Sequence, residues 1–239
     1  MTRASLQAVL FDFDDTLVPQ AHWLAGAWDA VAAAAGTLGA DPVAFRQALA
    51  RIAAEGSARG GIIDRAVAAC GAGLPVPPLV EAFRTFRADR LEPFPGAASD
   101  VARVRRLLPV GLVSDGDPDI QRAKLRAAGL HDAFDVVVLS DELGREHRKP
   151  DPAPYRRALA ALGVAPSAAA FVGDRPTTDI VGAHELGMLT VRVRTGEYRE
   201  HPDVARPDAT FATVAEAADW LVTLDVRTER PEDAGRAGG

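Results

Sequence analysis

The chain has 239 residues, of which 48% are hydrophobic and 25% charged, a composition typical of a globular protein with one sizeable core. The net charge of −6 argues against nucleic acid or an anionic membrane as a partner, and no apolar segment approaches the roughly 20 residues that a membrane span requires. Cys70 is the only cysteine, which excludes an internal disulfide or a cysteine-based zinc cluster and predicts a reducing, cytoplasmic location.

The first predicted element is a strand at residues 7–13, "QAVLFDF", which is apolar until its carboxyl end. Asp12, Asp14 and Asp15 crowd that end, and Thr16 follows them. Carboxylates this close repel one another, so the stretch indicates a metal ion, a covalent reaction or a solvated turn. Asp15 and Thr16 fit a structural role in the turn after the strand.

Residues 18–92 contain no strand-like run. Their helical periodicity predicts four helices, near residues 20–36, 42–55, 60–70 and 78–91. An all-helical segment of this size, inserted after the first strand, predicts a small cap domain. Cys70 shares an apolar stripe with Ile63 and Val67, so we expect its side chain to be packed in the core of this segment.

Residues 93–224 combine with residues 1–17 into a predicted α/β core domain. Helix-length segments such as 117–130 and 151–164 begin with Asp-Pro and end near Gly, the signals of helix start and stop. They alternate with apolar runs, which predicts a doubly wound parallel sheet of the Rossmann-like kind. The runs lie at residues 109–114, 135–140, 168–173 and 189–193. The tail, 225–239, lacks apolar periodicity and is predicted to be disordered.

Polar side chains follow four consecutive strands of this predicted sheet. Because ligands of such sheets bind beyond the carboxyl ends of the strands, these side chains are the candidate site. A hydroxyl followed by a glycine turn offers donors to a phosphate, and an amine and carboxylates come from the other loops. The candidates are Asp12 and Asp14, Ser114 with Asp115 and Gly116, Lys149, and Asp174 with Asp179.

The use of lysine supports a role for one of these residues. Among 27 basic residues only Lys124 and Lys149 are lysines, so the chain carries its positive charge almost entirely as arginine. A compact ammonium at position 149 indicates a task that a planar guanidinium does not perform. For Lys124, within a predicted helix, we expect a solvated position or one in the C-terminal half of that helix.

Four motifs together resemble those of the haloacid dehalogenase superfamily. They are "DFDDTL", the strand-ending Ser114, Lys149 in "RKPDP", and "GDRPTTD", and they occur in the order and at the spacing of that superfamily. The similarity covers the chain apart from the helical segment and the tail. It implies the phosphatase branch with a helical C1-type cap, and it departs from many members only in Asp115, where they carry Asn.

The resemblance also implies roles for the catalytic residues. Asp12 would be the nucleophile and form an aspartyl-phosphate, since an unperturbed carboxyl with a pKa of about 3.9 is ionised at neutral pH. Asp14 would protonate the leaving group and then deprotonate the attacking water. Lys149 would bind the phosphoryl oxygens and stabilise the charge of the transition state, together with Ser114 and the backbone at Asp115 and Gly116.

A magnesium site follows from the same resemblance, because hard carboxylate oxygens are the ligands that Mg²⁺ prefers. Its ligands would be Asp12, the backbone carbonyl of Asp14, Asp174, and Asp179 either directly or through water. The partner would be a small phosphorylated metabolite. The sequence leaves the identity of that metabolite and the choice between monomer and homodimer open.

Several alternative functions compete with the phosphatase. A dehalogenase of this superfamily lacks the second Asp of the first motif, which is Asp14 here, and a phosphonate hydrolase needs a cap lysine that residues 18–92 do not contain. A sugar phosphomutase of the β-phosphoglucomutase kind keeps all four motifs and is the main enzymatic alternative. A non-enzymatic phospho-acceptor or binding module on the same fold is the alternative from another class.

Overall fold

The computed structural model of the chain describes residues 5–56, 60–70 and 73–224, so the predicted disordered tail, 225–239, lies outside the described residues. Six parallel strands form one sheet in the order β3-β2-β1-β4-β5-β6, which confirms the predicted doubly wound fold. Strand β1 lies between β2 and β4, with Leu10 opposite Gly111 on one side and Phe171 on the other. The strands are β1 Ala8–Phe11, β2 Val110–Ser114, β3 Val136–Leu139, β4 Ala169–Gly173, β5 Leu189–Val193 and β6 Ala209–Phe211.

Helices cover both faces of the sheet. Alternate residues of β1 point to opposite faces, so Val9 and Phe11 join one apolar cluster while Ala8 and Leu10 join another. Helices α5, α6 and α9 pack on the first face, and α7 and α8 pack on the second. Their bounds are α5 Ala97–Arg105, α6 Pro118–Ala127, α7 Pro152–Leu162, α8 Val181–Glu185 and α9 Val214–Leu221.

Four helices form an insertion between β1 and α5. They are α1 Gln20–Thr37, α2 Pro42–Ala53, α3 Ile62–Cys70 and α4 Val76–Thr85, and they enclose an apolar cluster of their own around Phe45, Leu49 and Leu79. Helix α2 begins where the sequence predicts, because the Asp41 carboxylate accepts a hydrogen bond of 2.9 Å from Val43 N at the helix N-terminus. We refer to α1–α4 as the helical insertion.

Two details of the insertion differ from the sequence-based predictions. Helix α4 ends at Thr85 rather than at residue 91, because Phe86 takes an extended conformation and its ring packs against Trp23 and Gly26. Cys70 is exposed, because the short helix α3 turns Ile63 and Ala66 toward the apolar cluster and leaves the end of the stripe in solvent.

No helix in the described part of the chain has the length and apolar character that crossing a membrane requires. The sheet edge where the strands end at their carboxyl termini faces the helical insertion, and this arrangement creates the cleft described next.

Candidate active site

The carboxyl ends of the strands bring the sequence-predicted residues to one edge of the sheet. Asp12 directly follows β1, Ser114 ends β2, and Asp174 directly follows β4. Lys149 lies in the loop between β3 and α7, and Asp179 lies in a π-helical turn, Pro176–Ile180, before α8. The side chain of Lys149 contacts those of Asp12 and Asp179 there.

Three of these carboxylates form a buried acidic cluster. Asp12, Asp174 and Asp179 each offer an oxygen within 4.8 Å of the others. Gly173 permits the approach, because a Cβ atom at that position would lie 2.5 Å from Asp179 Oδ2. Thr16 Oγ1 donates a hydrogen bond of 3.0 Å to Asp12 Oδ2.

This acidic cluster fits a hard divalent cation. Asp174 Oδ2 is buried and has no hydrogen-bond partner within the protein, so one carboxylate oxygen is left for a ligand. The donors are all oxygen atoms, which Mg²⁺ prefers, and three negative charges this close need a compensating cation. The Asp14 side chain lies outside the cluster, which leaves its backbone carbonyl as the ligand that the resemblance implies.

Lys149 supplies part of the compensating charge. Its Nζ pairs with Asp12 Oδ1, lies 2.8 Å from Asp179 Oδ1 and donates to Val113 O at 3.2 Å. Burial lowers the pKa of this ammonium, but the charges of Asp12 and Asp179 outweigh burial and raise the pKa well above the ordinary value for lysine. The two carboxylates therefore favour the charged form of Lys149 in the site.

Asp12 and Asp174, the two metal-ligand candidates that directly follow β1 and β4, both have raised pKa values. Burial raises the pKa of Asp12 to about 7, although the charge of Lys149 lowers it. Burial, together with the charges of Asp179 and Asp12, raises the pKa of Asp174 well above its usual range. The expectation of an ordinary pKa for Asp12 was wrong, because the sequence does not show that the carboxyl is desolvated. A cation in the cluster would restore the ionised form.

The turn after β2 lies beside the acidic cluster. Ser114 is buried, and Gly116 has a φ of 126°, which favours glycine. The carboxylate of Asp115 accepts hydrogen bonds from Ser140 Oγ at 2.7 Å and from Lys149 N at 3.1 Å. The side chain of Asp115 therefore ties the turn after β2 to the loop after β3.

Asp14 has two partners that the sequence did not predict. Lys124 Nζ pairs with Asp14 Oδ1, and Gln121 Nε2 lies 2.9 Å from Asp14 Oδ2. Lys124 lies in the C-terminal half of α6, which is one of the two positions expected for it, but it is not solvated, since it is only 3% exposed. Its signal in the sequence was its rarity, because it is one of two lysines. Nothing in the sequence indicated that Gln121 contacts Asp14.

Asp15 and Thr16 belong to the turn, as their residue types suggested. Asp15 has a φ of 61°, and its carboxylate accepts hydrogen bonds from Gln20 N at 2.9 Å and from Glu197 N at 3.2 Å. A Cβ atom on Gly196 would collide with the Asp15 side chain, so the loop after β5 closes tightly over it. These contacts fix the turn that carries Asp12 and Asp14.

A cleft separates this sheet edge from the helical insertion. It has two lobes of ≈460 Å³ and ≈520 Å³, and Asp14 lines both. In the first lobe the insertion contributes an apolar wall and the core contributes arginines, while in the second lobe the insertion adds Arg84. The wall of the first lobe contains Leu24, Trp28, Ile62 and Phe83, and its arginines are Arg145, Arg148 and Arg175.

The chain is similar in sequence to known hydrolases. A family model described as haloacid dehalogenase-like hydrolase matches residues 6–187. The glyceraldehyde 3-phosphate phosphatase of Methanopyrus kandleri is 34% identical over 82% of this chain and 87% of its own length. The phosphoserine phosphatase of Thermus thermophilus is 46% identical over 54% of this chain, and the chain spans about half, 51%, of that relative.

Solved structures share the fold over most of the chain. A haloacid dehalogenase-family phosphatase from Thermococcus onnurineus has a TM-score of 0.66 at 25% identity and covers 92% of this chain and 100% of its own. A 2-haloacid dehalogenase from Pseudomonas syringae has a TM-score of 0.65 at 27% identity and covers 91% of this chain and 99% of its own. The fold is therefore common to phosphatases and dehalogenases, and the side chains must distinguish them.

Proposed function

The chain belongs to the haloacid dehalogenase-like hydrolases, and we propose that it is a phosphoric monoester hydrolase that acts on a small phosphorylated metabolite through an aspartyl-phosphate with Mg²⁺. The observation that carries this proposal is the position of Asp14 in the cleft, beside the cluster that contains Asp12. A second carboxylate there supplies the proton transfers that ester hydrolysis needs, and the dehalogenases of this superfamily lack it.

In the first step Asp12 attacks the phosphorus atom of the ester. The bond between Asp12 Oδ and phosphorus forms as the bond between phosphorus and the ester oxygen breaks. The departing oxygen takes the electron pair of that bond and a proton from Asp14, and it leaves as an alcohol. Asp14 must therefore enter this step protonated.

In the second step water hydrolyses the aspartyl-phosphate. Asp14, now a carboxylate, takes a proton from the water as its oxygen attacks phosphorus. The bond between phosphorus and Asp12 breaks, Asp12 regains its carboxylate, and inorganic phosphate is released. The two steps together return both residues to their starting states.

The surrounding groups stabilise the phosphoryl oxygens. Lys149 offers a fixed positive charge, and Ser114 with the backbone N–H groups at Asp115 and Gly116 offers donors. Asp12, Asp174 and the carbonyl of Asp14 would hold Mg²⁺, with Asp179 binding it directly or through water, and the ion would supply positive charge toward the carboxylates and the phosphoryl group. The burial of Lys149 and Ser114 keeps competing water away from these contacts.

The helical insertion would act as the cap, residues 18–92, over a core domain of residues 1–17 and 93–224. Its apolar wall faces the phosphate-binding edge across a cleft of ≈460 Å³, a size suited to a small metabolite. Relatives of the chain act on phosphoserine and on glyceraldehyde 3-phosphate, which are substrates of that size. We further propose a cytoplasmic location, which the single cysteine supports.

The test is a panel of phosphomonoesters assayed for inorganic phosphate. The panel contains p-nitrophenyl phosphate, phosphoserine, glyceraldehyde 3-phosphate and sugar phosphates, each with Mg²⁺ and with EDTA in its place. We expect phosphate release that requires the metal. No release from any ester would overturn the proposal, and interconversion of sugar phosphate isomers with little free phosphate would show a phosphomutase instead.

A further inference from the structure

Each of the two carboxylates assigned to the reaction has a lysine of its own. Lys149 pairs with Asp12, and Lys124 pairs with Asp14. These are the only two lysines among 27 basic residues in the sequence, and both are buried. The chain thus places a lysine only where an ammonium meets one of these two carboxylates.

Two aromatic rings flank the ammonium of Lys124 where it pairs with Asp14. Its Nζ lies 5.6 Å from the ring centroid of Phe13, next to Asp14 in the chain, and 5.2 Å from that of Trp23 in helix α1. Both rings present π-electrons to the ammonium, an arrangement that favours the cation. The side chain of Lys124 is therefore held between the core and the helical insertion, with its charge directed to Asp14 Oδ1.

Gln121 holds the other oxygen of the same carboxylate. It lies one helical turn before Lys124 on α6, so both side chains project from one face of that helix. Gln121 Nε2 is 2.9 Å from Asp14 Oδ2, 2.7 Å from Ser114 Oγ and 2.9 Å from the carbonyl oxygen of Asp115. A single amide group thus links Asp14 to the hydroxyl proposed to bind phosphate.

Burying the Lys124 ammonium beside Asp14 costs free energy, and a function that depends on the position of Lys124 would explain why the residue is there. Burying an ammonium requires that its lost hydration be replaced, and a buried ion pair stabilises a fold no better than apolar side chains of similar size. Lys124 is buried among apolar residues of α6 and the two aromatic rings, where a methionine would fit. Stability alone does not explain a lysine at this position.

We propose that Lys124 and Gln121 are positioning residues that hold the Asp14 carboxyl group toward the leaving-group oxygen of the substrate. This inference rests on the proposed function, since it assigns the two residues to the proton-transfer step of that reaction. Proton transfer needs the carboxyl oxygen within about 3 Å of the ester oxygen, and a side chain free to turn toward solvent seldom meets that requirement. Contacts to both oxygens hold the Asp14 carboxylate, the form that takes the proton from water, in one orientation. When Asp14 carries the proton for the leaving group, one of the two donors gives way and the other keeps that orientation.

The decisive measurement is how the leaving group affects the rate of Lys124→Met. A p-nitrophenolate leaves without a proton, whereas the alkoxide of an alkyl phosphate needs one from Asp14. The ratio kcat/KM covers the steps up to departure of the alcohol, so it isolates this proton transfer from the later hydrolysis of the aspartyl-phosphate. We expect kcat/KM to fall about 10- to 100-fold for the best alkyl phosphate of the panel and less than about 3-fold for p-nitrophenyl phosphate.

Matched variants separate positioning from folding. Arg126→Met, an exposed position on the same helix, should leave both substrates unaffected, and Lys124→Arg should restore part of the alkyl activity by keeping the charge. In an Asp14→Asn background, Lys124→Met should cause no further loss on the alkyl ester. If Lys124→Met does not fold, as judged by circular dichroism, Gln121→Leu tests the same ratio with a smaller expected change.

Equal losses on both esters, or full additivity with Asp14→Asn, would overturn the inference and show that Lys124 only supports the fold. These outcomes leave the proposed function standing, since the wild type would still hydrolyse both esters. A wild-type enzyme that hydrolyses neither ester would overturn the proposed function, and this inference with it.

Discussion

The sheet edge and the helical insertion face each other across the cleft, and they use charge in opposite ways. At the sheet edge the charges are buried and paired, as where Lys149 contacts Asp12 and Asp179. In the insertion the charges are on the outside, where Arg46 pairs with Asp29 at an exposed position. Most of its cleft-facing side chains are apolar, and the exceptions are Gln20 and Arg84, which pairs with Asp117 of the core.

This difference indicates that the sheet edge determines the rate of the reaction and that the helical insertion determines which substrate binds. Exposed ion pairs contribute only about 0–1 kcal/mol each because water and salt screen them, whereas buried charges act strongly on one another and on a ligand. Substitutions at the sheet edge should therefore change turnover, and substitutions in the insertion should change which substrate binds. The following predictions test that comparison, from the largest expected effect to the smallest.

Asp12→Asn should abolish turnover, with a loss of at least about 1,000-fold, because the amide cannot form the phosphoryl bond. Steady-state phosphate release measures the loss, and circular dichroism checks that the fold is retained. Asp29→Asn removes an exposed carboxylate of the insertion and should keep full activity. If Asp12→Asn retained activity, Asp12 would not be the nucleophile.

Metal-free protein should lose thermal stability as the pH rises toward 7, with the Tm falling on the order of 5 °C between pH 5 and pH 8. The reason is the sign of the shift at Asp12, whose pKa burial raises to about 7. The folded state keeps the carboxyl protonated up to about pH 7, while the unfolded chain ionises it at a lower pH. Stability therefore falls as the pH rises toward 7 and levels off once the folded carboxyl has ionised as well.

Mg²⁺ should reduce this decline, because a cation in the acidic cluster favours the ionised carboxylates. Thermal unfolding followed across the pH range in EDTA and in Mg²⁺ gives both curves. Asp174→Asn, which removes one ligand candidate, should weaken the response to Mg²⁺. Identical curves with and without the metal would show that Mg²⁺ does not bind among these carboxylates.

Ile62→Ala in the apolar wall should raise KM for the preferred substrate up to about 10-fold and leave kcat nearly unchanged, because the lost contacts bind the substrate away from the reacting bond. Val43→Ala is the matched control, since Val43 is 64% exposed and lies in the same insertion away from the cleft. A loss of kcat in Ile62→Ala, comparable to that of a sheet-edge variant, would end the distinction between the two regions.

Cys70→Ser should change neither activity nor stability by a measurable amount, within about 0.5 kcal/mol, because the side chain is exposed at the end of α3. A thiol reagent should modify Cys70 rapidly and stoichiometrically in the native enzyme. Slow modification, or a clear loss of stability in the serine variant, would mean that the thiol is packed after all.

The sheet edge could be predicted from the sequence because its signal is local. Buried parallel strands are continuous apolar runs, and the polar residues that end them, such as Ser114 and Asp174, fall at one edge by the geometry of the fold alone. Strand β5 lies at residues 189–193, where its apolar run predicted it. The short edge strand β6 is only partly buried and carries no such run, so it was not predicted.

The contacts of α6 with Asp14 and the insertion could not be predicted, because they depend on long-range packing. Gln121 and Lys124 are polar residues on a helix, a pattern usually found on solvated faces. The rings of Phe13 and of Trp23 from the insertion both lie against the ammonium of Lys124. Cys70 was predicted to be buried for a related reason. An apolar stripe in the sequence shows which residues share one face of a helix. It does not show how far along that helix the neighbouring helices pack against it.

The burial of both lysines has a consequence for chemical probing of the enzyme. Amine-acylating reagents find no exposed lysine side chain on the folded protein, since Lys124 is 3% exposed and Lys149 is 5% exposed. Acylation of either residue therefore requires that its surroundings open first, and the labelling rate measures how often they do. Because Trp23 covers only Lys124, faster labelling of Lys124 than of Lys149 would report separation of the helical insertion while the sheet stays folded.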